Sequence, residues 1–338
     1  MSTSSADRPT RRATLRTAAS AALALAVPSA VAHAAPWSPG RTTGKRSLII
    51  AADQASRRVL LLDPNTTTLR GRRAALSTLA SVWTWSPGTL TEFSDLQPEL
   101  TWRNVSEAKW HVGAHRTWVL TCASDGFAAV VEYPGGRAYW AAAIPGNLHT
   151  MEVLPDGNIA VAASTGGFVR VYAASTGPRR TDHAEFALPG AHGLQWDPLH
   201  QVLWAVGDNH LVSLAISGTP QLPQITAVST VPLPETGGHD LGTVALDPSR
   251  LWVTTMTHVR QFSLATRTFV SYSEQAAVDR PLVKSIGDDP LTGQILSVAP
   301  DTDNPCTWCT STVRLQAPAD VETLPGSSLY KARWAITL

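Results

Sequence analysis

A short unit recurs along this chain. A loop ends in an imidazole or ammonium side chain; an apolar strand, a tight turn and a second apolar strand follow. The pattern is clearest at Gly190-Ala191-His192-Gly193-Leu194-Gln195-Trp196-Asp197-Pro198, continued by Val202-Leu203-Trp204-Ala205-Val206-Gly207. It returns around Leu148-His149-Thr150 and around Gly238-His239-Asp240. Taking Lys109, Lys284 and Lys331 as the same kind of opening places the openings 40, 43, 47, 45 and 47 residues apart. Four short strands per unit, a period in the forties and no helical periodicity together specify an all-β fold, a β-propeller. A β-sandwich would not require such a period.

The blade count follows from the two ends. The opening at Lys331 is followed by one strand before the sequence stops, and residues 47–85 hold three strands with no opening. Joined, they make one blade with the C-terminal strand innermost. The expected fold is a six-bladed propeller over residues 47–338, closed by pairing between the two ends. Closure leaves no long unpaired sheet edge, so a monomer is expected. Twelve Trp, 24 Pro and 23 Gly agree with many short strands joined by turns.

Ahead of the propeller lies a targeting pattern. Thr10-Arg11-Arg12-Ala13-Thr14-Leu15-Arg16 has the form of a twin-arginine export signal, a mildly apolar run extends from Ala18 to Val31, and Ala32-His33-Ala34 offers a small-x-small cleavage site. Residues 1–34 read as a signal peptide and 35–46 as a tether, which gives a secreted, extracellular protein. Charged residues at 16% suit an exported β-rich chain. No stretch of about 20 apolar residues is present, so no membrane span is expected. A net charge of +1 excludes bulk attraction to nucleic acid.

Of the three cysteines, Cys306 and Cys309 form a lone C-x-x-C in loop-like surroundings. A zinc site would need a second pair. The pair reads as a local disulfide or as two inert thiols, and Cys122, within Trp118-Val119-Leu120-Thr121-Cys122, reads as a small buried apolar residue.

Residues 47–338 resemble a family of secreted bacterial six-bladed propellers known only as a domain of unknown function. The resemblance is carried by Glu107-Ala108-Lys109-Trp110, Leu154-Pro155-Asp156-Gly157-Asn158-Ile159, Gly190-Ala191-His192-Gly193-Leu194-Gln195-Trp196-Asp197, Gly238-His239-Asp240-Leu241, Val283-Lys284-Ser285 and Leu329-Tyr330-Lys331-Ala332-Arg333-Trp334. Relatives carry cysteine just before the aspartate of Ala51-Ala52-Asp53-Gln54, so a thiol role there is absent from this chain. The resemblance implies the fold and no activity.

In a propeller the innermost strands line a central channel, so equivalent openings converge. Ring order gives Lys109, His149, His192, His239, Lys284 and Lys331, with Arg333 two residues on. Three uses of such a ring compete. It binds an anion through Lys109, Lys284, Lys331 and Arg333, with His149, His192 and His239 moving protons. Alternatively, the three histidines hold a divalent metal, with Asp240 behind them. Or the ring is structural, each side chain bonding to carbonyls of the neighbouring blade. Loops between the second and third strands of each blade should reach the same face, bringing Asp53, Asp125 and Asp208 as further ligand-binding or acid–base candidates. Trp110, Trp196, Trp204, Trp252 and Trp334 read as inter-blade packing, while Trp83, Trp85, Trp102 and Trp140 are candidates for stacking on a sugar.

The leading expectation is a secreted propeller binding an anionic small molecule or uronate-containing glycan at one channel mouth. If it is catalytic, it is a carbohydrate lyase with a histidine base. The alternative is a non-enzymatic recognition or scaffold propeller for a protein or cell-envelope partner.

Overall fold

Six four-stranded antiparallel motifs stand around a ring in the computed structural model, which describes residues 44–64 and 77–337. The expected signal peptide lies outside the described residues, as does most of the tether. Blade 1 runs outward from the C-terminal strand Leu329–Thr337 through Arg46–Asp53 and Arg58–Asp63 to Ala80–Trp85. The innermost strands of blades 2 to 6 are Val105–Val112, Leu148–Val153, Gly193–Asp197, Leu241–Thr243 and Ser285–Asp288. Each contacts the next, and the last contacts Leu329–Thr337, so the ring closes. Closure is by antiparallel pairing, with Ile50 opposite Arg333 and Ala52 opposite Lys331. A second stitch lies at the rim, where Ser77–Thr78 from the blade 1 segment pairs in parallel with the outer strand of blade 6, Asp320–Thr323.

The core is divided among the blade interfaces. Each pair of neighbouring blades encloses its own apolar cluster, six in all. This follows from strands whose alternate faces both meet another blade, and it explains inner strands buried on both sides, such as Leu148–Val153. The tryptophans expected to pack between blades do so and anchor their indole N–H groups. Trp110 donates to the Ile336 carbonyl at 2.9 Å, Trp334 to the Gln294 carbonyl at 3.0 Å, and Trp252 to Asp288 at 2.8 Å.

The insert at 88–104 contributes to the core of blades 1 and 2. Thr91–Leu96 is a 3-10 turn and Pro98–Thr101 a single α turn. They bury Phe93 and Leu96, and Trp102 follows, against Trp85 and Phe127. Trp85, Trp102 and Trp140 are therefore core residues and do not stack on a ligand; Trp140 is fully buried.

Among the described residues, no helix is long and apolar enough to cross a membrane. The disulfide between Cys306 and Cys309 is formed, and Cys122 is buried, which pushes its thiol up to about 12.

Candidate functional site

In each blade one residue at or just before the head of the inner strand sits outside the regular ladder. In blades 1 to 3 a bulge marks the place, because pairing skips Tyr330, Ser106 and His149. In blades 4 to 6 the corresponding residues, His192, His239 and Lys284, donate their backbone N–H to the second strand and the ladder begins after them. A bulge re-aims a side chain. Five of these six side chains converge on one cleft of about 450 Å³, while Ser106 turns aside to donate to the Leu148 carbonyl at 2.6 Å.

Their geometry fixes their protonation. The ring centroids of His149 and His192 are 4.0 Å apart, and those of His192 and His239 are 4.7 Å apart. His192 Nδ1 lies 2.6 Å from the Gly190 carbonyl, which can only accept. Nδ1 therefore carries the proton and Nε2 keeps its lone pair. Gly190 holds that carbonyl in place at φ +66°, where a Cβ would run into the Asp208 carboxylate. Lys284 Nζ lies 3.3 Å from His239 Nε2, so that nitrogen accepts, and His239 Nδ1 is buried without a hydrogen-bond partner. The Tyr330 hydroxyl bridges His149 Nδ1 at 3.1 Å and His239 Nε2 at 3.0 Å.

Burial holds all three imidazoles neutral. It acts on His239 together with the Lys284 charge and on His149 together with His192, and it takes His192 down to about 4. Burial, with some help from Lys331, also pushes Lys284 down to about 8, and burial keeps the Tyr330 hydroxyl protonated far above its usual range.

Three basic residues expected in this ring lie elsewhere. Lys331 is one residue past the bulge and Lys109 three past it, so each projects at a deeper level. Lys331 is fully buried and donates to the His149 carbonyl at 3.1 Å, to Asp240 at 3.2 Å and to Glu107 at 3.4 Å. Arg333 grips the same two carboxylates, at 2.8 Å to both Glu107 oxygens and at 2.6 Å to Asp240 Oδ1. Burial alone would raise both acids, but Arg333 and Lys331 outweigh it and hold Glu107 and Asp240 below the usual carboxylate range. Two cations and two anions thus neutralise one another inside the channel.

Lys109 lies at the opposite mouth, bound to Glu152 at 2.9 Å and to the Leu194 carbonyl at 2.7 Å, beside Gln195, Arg333 and Trp334. The structural reading of the ring, bonds to carbonyls of other blades, therefore applies to Lys109 and Lys331. Neither they, nor Arg333, nor Asp240 faces the histidine mouth. Asp53 is spent on its own turn and on blade 1 closure, accepting from Ala55 N, Ser56 N and Oγ, and Ser328 N. Asp125 points outward, 3.5 Å from Arg103.

The metal reading fails on lone pairs. His239 Nε2 faces an ammonium, His149 Nδ1 faces Tyr330 and His192 Nδ1 is a donor, which leaves at most His149 Nε2 and His192 Nε2 clear of these contacts, fewer than three imidazole ligands. Among the described residues, no group of three or more His, Cys, Asp or Glu side chains is placed to hold a metal ion.

The loops between second and third strands do reach this mouth, one from every blade. Gln54, Ser124, Ser164, Asp208, Met256 and Trp308 rim the cleft. Trp308, half-exposed, and Tyr330 are among the site residues that the sequence reading missed, with Asn104 and Asn147. Tyr330 was legible in the apolar frame of the inner strands; Trp308 carried no repeat signal, because its loop is unique to blade 6.

Among curated proteins, none matches this sequence. Among solved structures, a protein of unknown function from Bacteroides caccae is similar, at 11% identity and a TM-score of 0.52, over 86% of this chain and 97% of that one. A chain of the mitotic checkpoint complex is similar at 12% identity and a TM-score of 0.49, over 80% of this chain and 70% of that one. At such identities the likeness concerns the fold alone. Residues 53–338 match the model described as Family of unknown function (DUF6528), and on that match, which spans nearly the whole propeller, the chain belongs to this family.

Proposed function

We propose that the histidine mouth binds the carboxylate of an acidic sugar, and that the protein acts as a secreted propeller for uronate-containing glycans. The observation that carries this reading is the state of Lys284. It is a half-buried ammonium whose nearest partner is an uncharged imidazole, and among the described residues it has no carboxylate partner. A partly desolvated cation with no counter-ion attracts an anion more strongly than a surface lysine does. Around it, Gln54, Asn104 and Asn147 supply amides for sugar hydroxyls, and Trp308 supplies an apolar face.

The same geometry supports a lyase step as a second reading. With the carboxylate charge neutralised by Lys284, the adjacent C–H becomes more acidic. His192 Nε2, neutral and with its lone pair available, accepts the α-proton. The electron pair left behind forms a carbon–carbon double bond as the glycosidic oxygen departs, and the Tyr330 hydroxyl returns a proton to that oxygen.

Titration calorimetry with a panel of acidic and neutral oligosaccharides tests the binding. Acidic sugars should bind and neutral ones should not, and Lys284→Met should abolish the difference. Absorbance of an unsaturated uronate product tests the chemistry; binding without it makes this a recognition propeller. Absence of binding by every acidic sugar overturns the reading. Export is tested separately: replacing Arg11 and Arg12 by lysine should stop secretion of a fusion carrying residues 1–34.

A further inference from the structure

The histidine mouth does not end at its rim. A second cleft of about 900 Å³ lies over blade 6, and it shares Gln54, Asn104 and Trp308 with the first. Its wall is the loop joining Ile295–Val298 to Thr312–Gln316, closed on itself by the Cys306–Cys309 disulfide. The equivalent turns in other blades are short, such as Ser124-Asp125-Gly126. The loop is held from below. Asn304 donates to the Ser327 carbonyl at 2.9 Å and accepts from Cys306 N at 3.0 Å and from Ser328 Oγ at 2.9 Å.

Trp308 rides on this loop with 48% of its surface exposed, the most exposed large aromatic side chain among the described residues. Its indole N–H donates to Gln54 Oε1 at 3.0 Å, which fixes the ring across the boundary between the two clefts. A large apolar ring held open to solvent in a fixed orientation costs little further entropy when a flat ligand stacks on it. Further along the second cleft stands Arg314, half-buried; the same wall carries Asp301, whose carboxylate accepts from the hydroxyls of Thr310 and Thr312, and Asp303, which accepts from the Thr302 hydroxyl. The positive charge of Arg314 is felt by Arg280, whose guanidinium burial and Arg314 together make less basic.

We propose that this second cleft is a row of subsites for further units of the same glycan, so that the ligand is an acidic oligosaccharide and not a single sugar. This extends the reading of the histidine mouth and rests on it. One unit places its carboxylate on Lys284, the next stacks on Trp308, and a following carboxylate reaches Arg314. A polyuronate is the ligand class that repeats a carboxylate on every ring, and the two clefts repeat a cation on either side of one aromatic platform.

The test compares binding of galacturonate, glucuronate and mannuronate as monomer, dimer and tetramer. The wild-type protein should bind the tetramer of its preferred sugar at least about tenfold more tightly than the monomer. Trp308→Ala should erase that length dependence, and Trp308→Phe should restore part of it. Arg314→Met should weaken the tetramer and spare the monomer. Equal affinity for monomer and tetramer, or length dependence that survives Trp308→Ala, overturns the second cleft and leaves the Lys284 site standing. No binding of any length overturns both. Trp308 is exposed, so its replacement leaves the fold intact, which a thermal melt confirms.

Discussion

Lys284 Nζ lies 3.3 Å from His239 Nε2, an ammonium donating to an imidazole that burial keeps uncharged. The pair shares one proton's worth of charge, and among the described residues no carboxylate pairs with it. That places the cation's own titration close to physiological pH.

Anion binding at this mouth should therefore be lost on the alkaline side earlier than a surface lysine would allow. Lys284 titrates at about 8 in place of its ordinary 10.5 and is charged below that point. Affinity for a uronate should be steady near neutrality and fall as pH rises through about 8. The bound anion shifts the midpoint upward in the complex. Calorimetry across the range checks this, and Lys284→Arg, whose charge persists, should flatten the profile.

Stability should respond to acid before any carboxylate titrates. His192 is depressed to about 4 from 6.5, and His149 and His239 lie well below 6.5. A histidine depressed in the folded state is more readily protonated in the unfolded chain. Its contribution is complete above pH 6.5 and is lost as pH falls toward the folded value. Urea midpoints should therefore drop between about pH 6.5 and 5, above the ordinary carboxylate range near 4. The slope should lessen in His192→Asn.

Inside the channel, removing one member of the ion cluster should cost far more than removing a surface pair. Glu107→Gln leaves Lys331 and Arg333 buried around a single carboxylate, which should destabilise the fold by about 3–5 kcal/mol. Arg116→Ala breaks a solvent-facing bridge to Glu132 and should cost about 0.5 kcal/mol or less. Chemical denaturation of the two variants gives the comparison directly. Similar costs would mean that the cluster is not the buried unit described above.

Ring closure can be tested by deletion. Without residues 329–338 the strand Arg46–Asp53 exposes the edge that Leu329–Thr337 covers, and Glu107 and Asp240 lose both of their cations. The shortened protein should lose its near-UV dichroism and associate on gel filtration. A monomeric, cooperatively folding product would mean that the other five blades stand alone.

The sequence announced the ring and misplaced half of its charge. Period, strand number and closure by the C-terminal strand are repeat properties, and repeats are visible in one chain. The basic residues gave a poorer alignment because charge at an inner strand serves more than one level of the channel. The apolar frame was the better ruler. Val105, Leu148, Ala191, Val283 and Leu329 precede the mouth residue, and Ala108, Met151, Leu194, Leu241, Ile286 and Ala332 follow it by two, all of them buried. Set in that frame, Tyr330 replaces Lys331 and Ser106 replaces Lys109. The bulges that cause the shift leave no mark in composition. Nor do the partners of Asp53, since a turn aspartate and a ligand aspartate look alike until their oxygens are counted.

Lys331, Arg333, Glu107 and Asp240 give the central tube a floor. Glu107 and Lys331 have no solvent exposure at all. Whatever settles on Lys284 has to back out by the opening it used, and a newcomer cannot push it through. A long polymer cannot thread this protein like a bead on a string. It can offer an end, or lie across the rim, and traffic at the site is governed by departure through a single door.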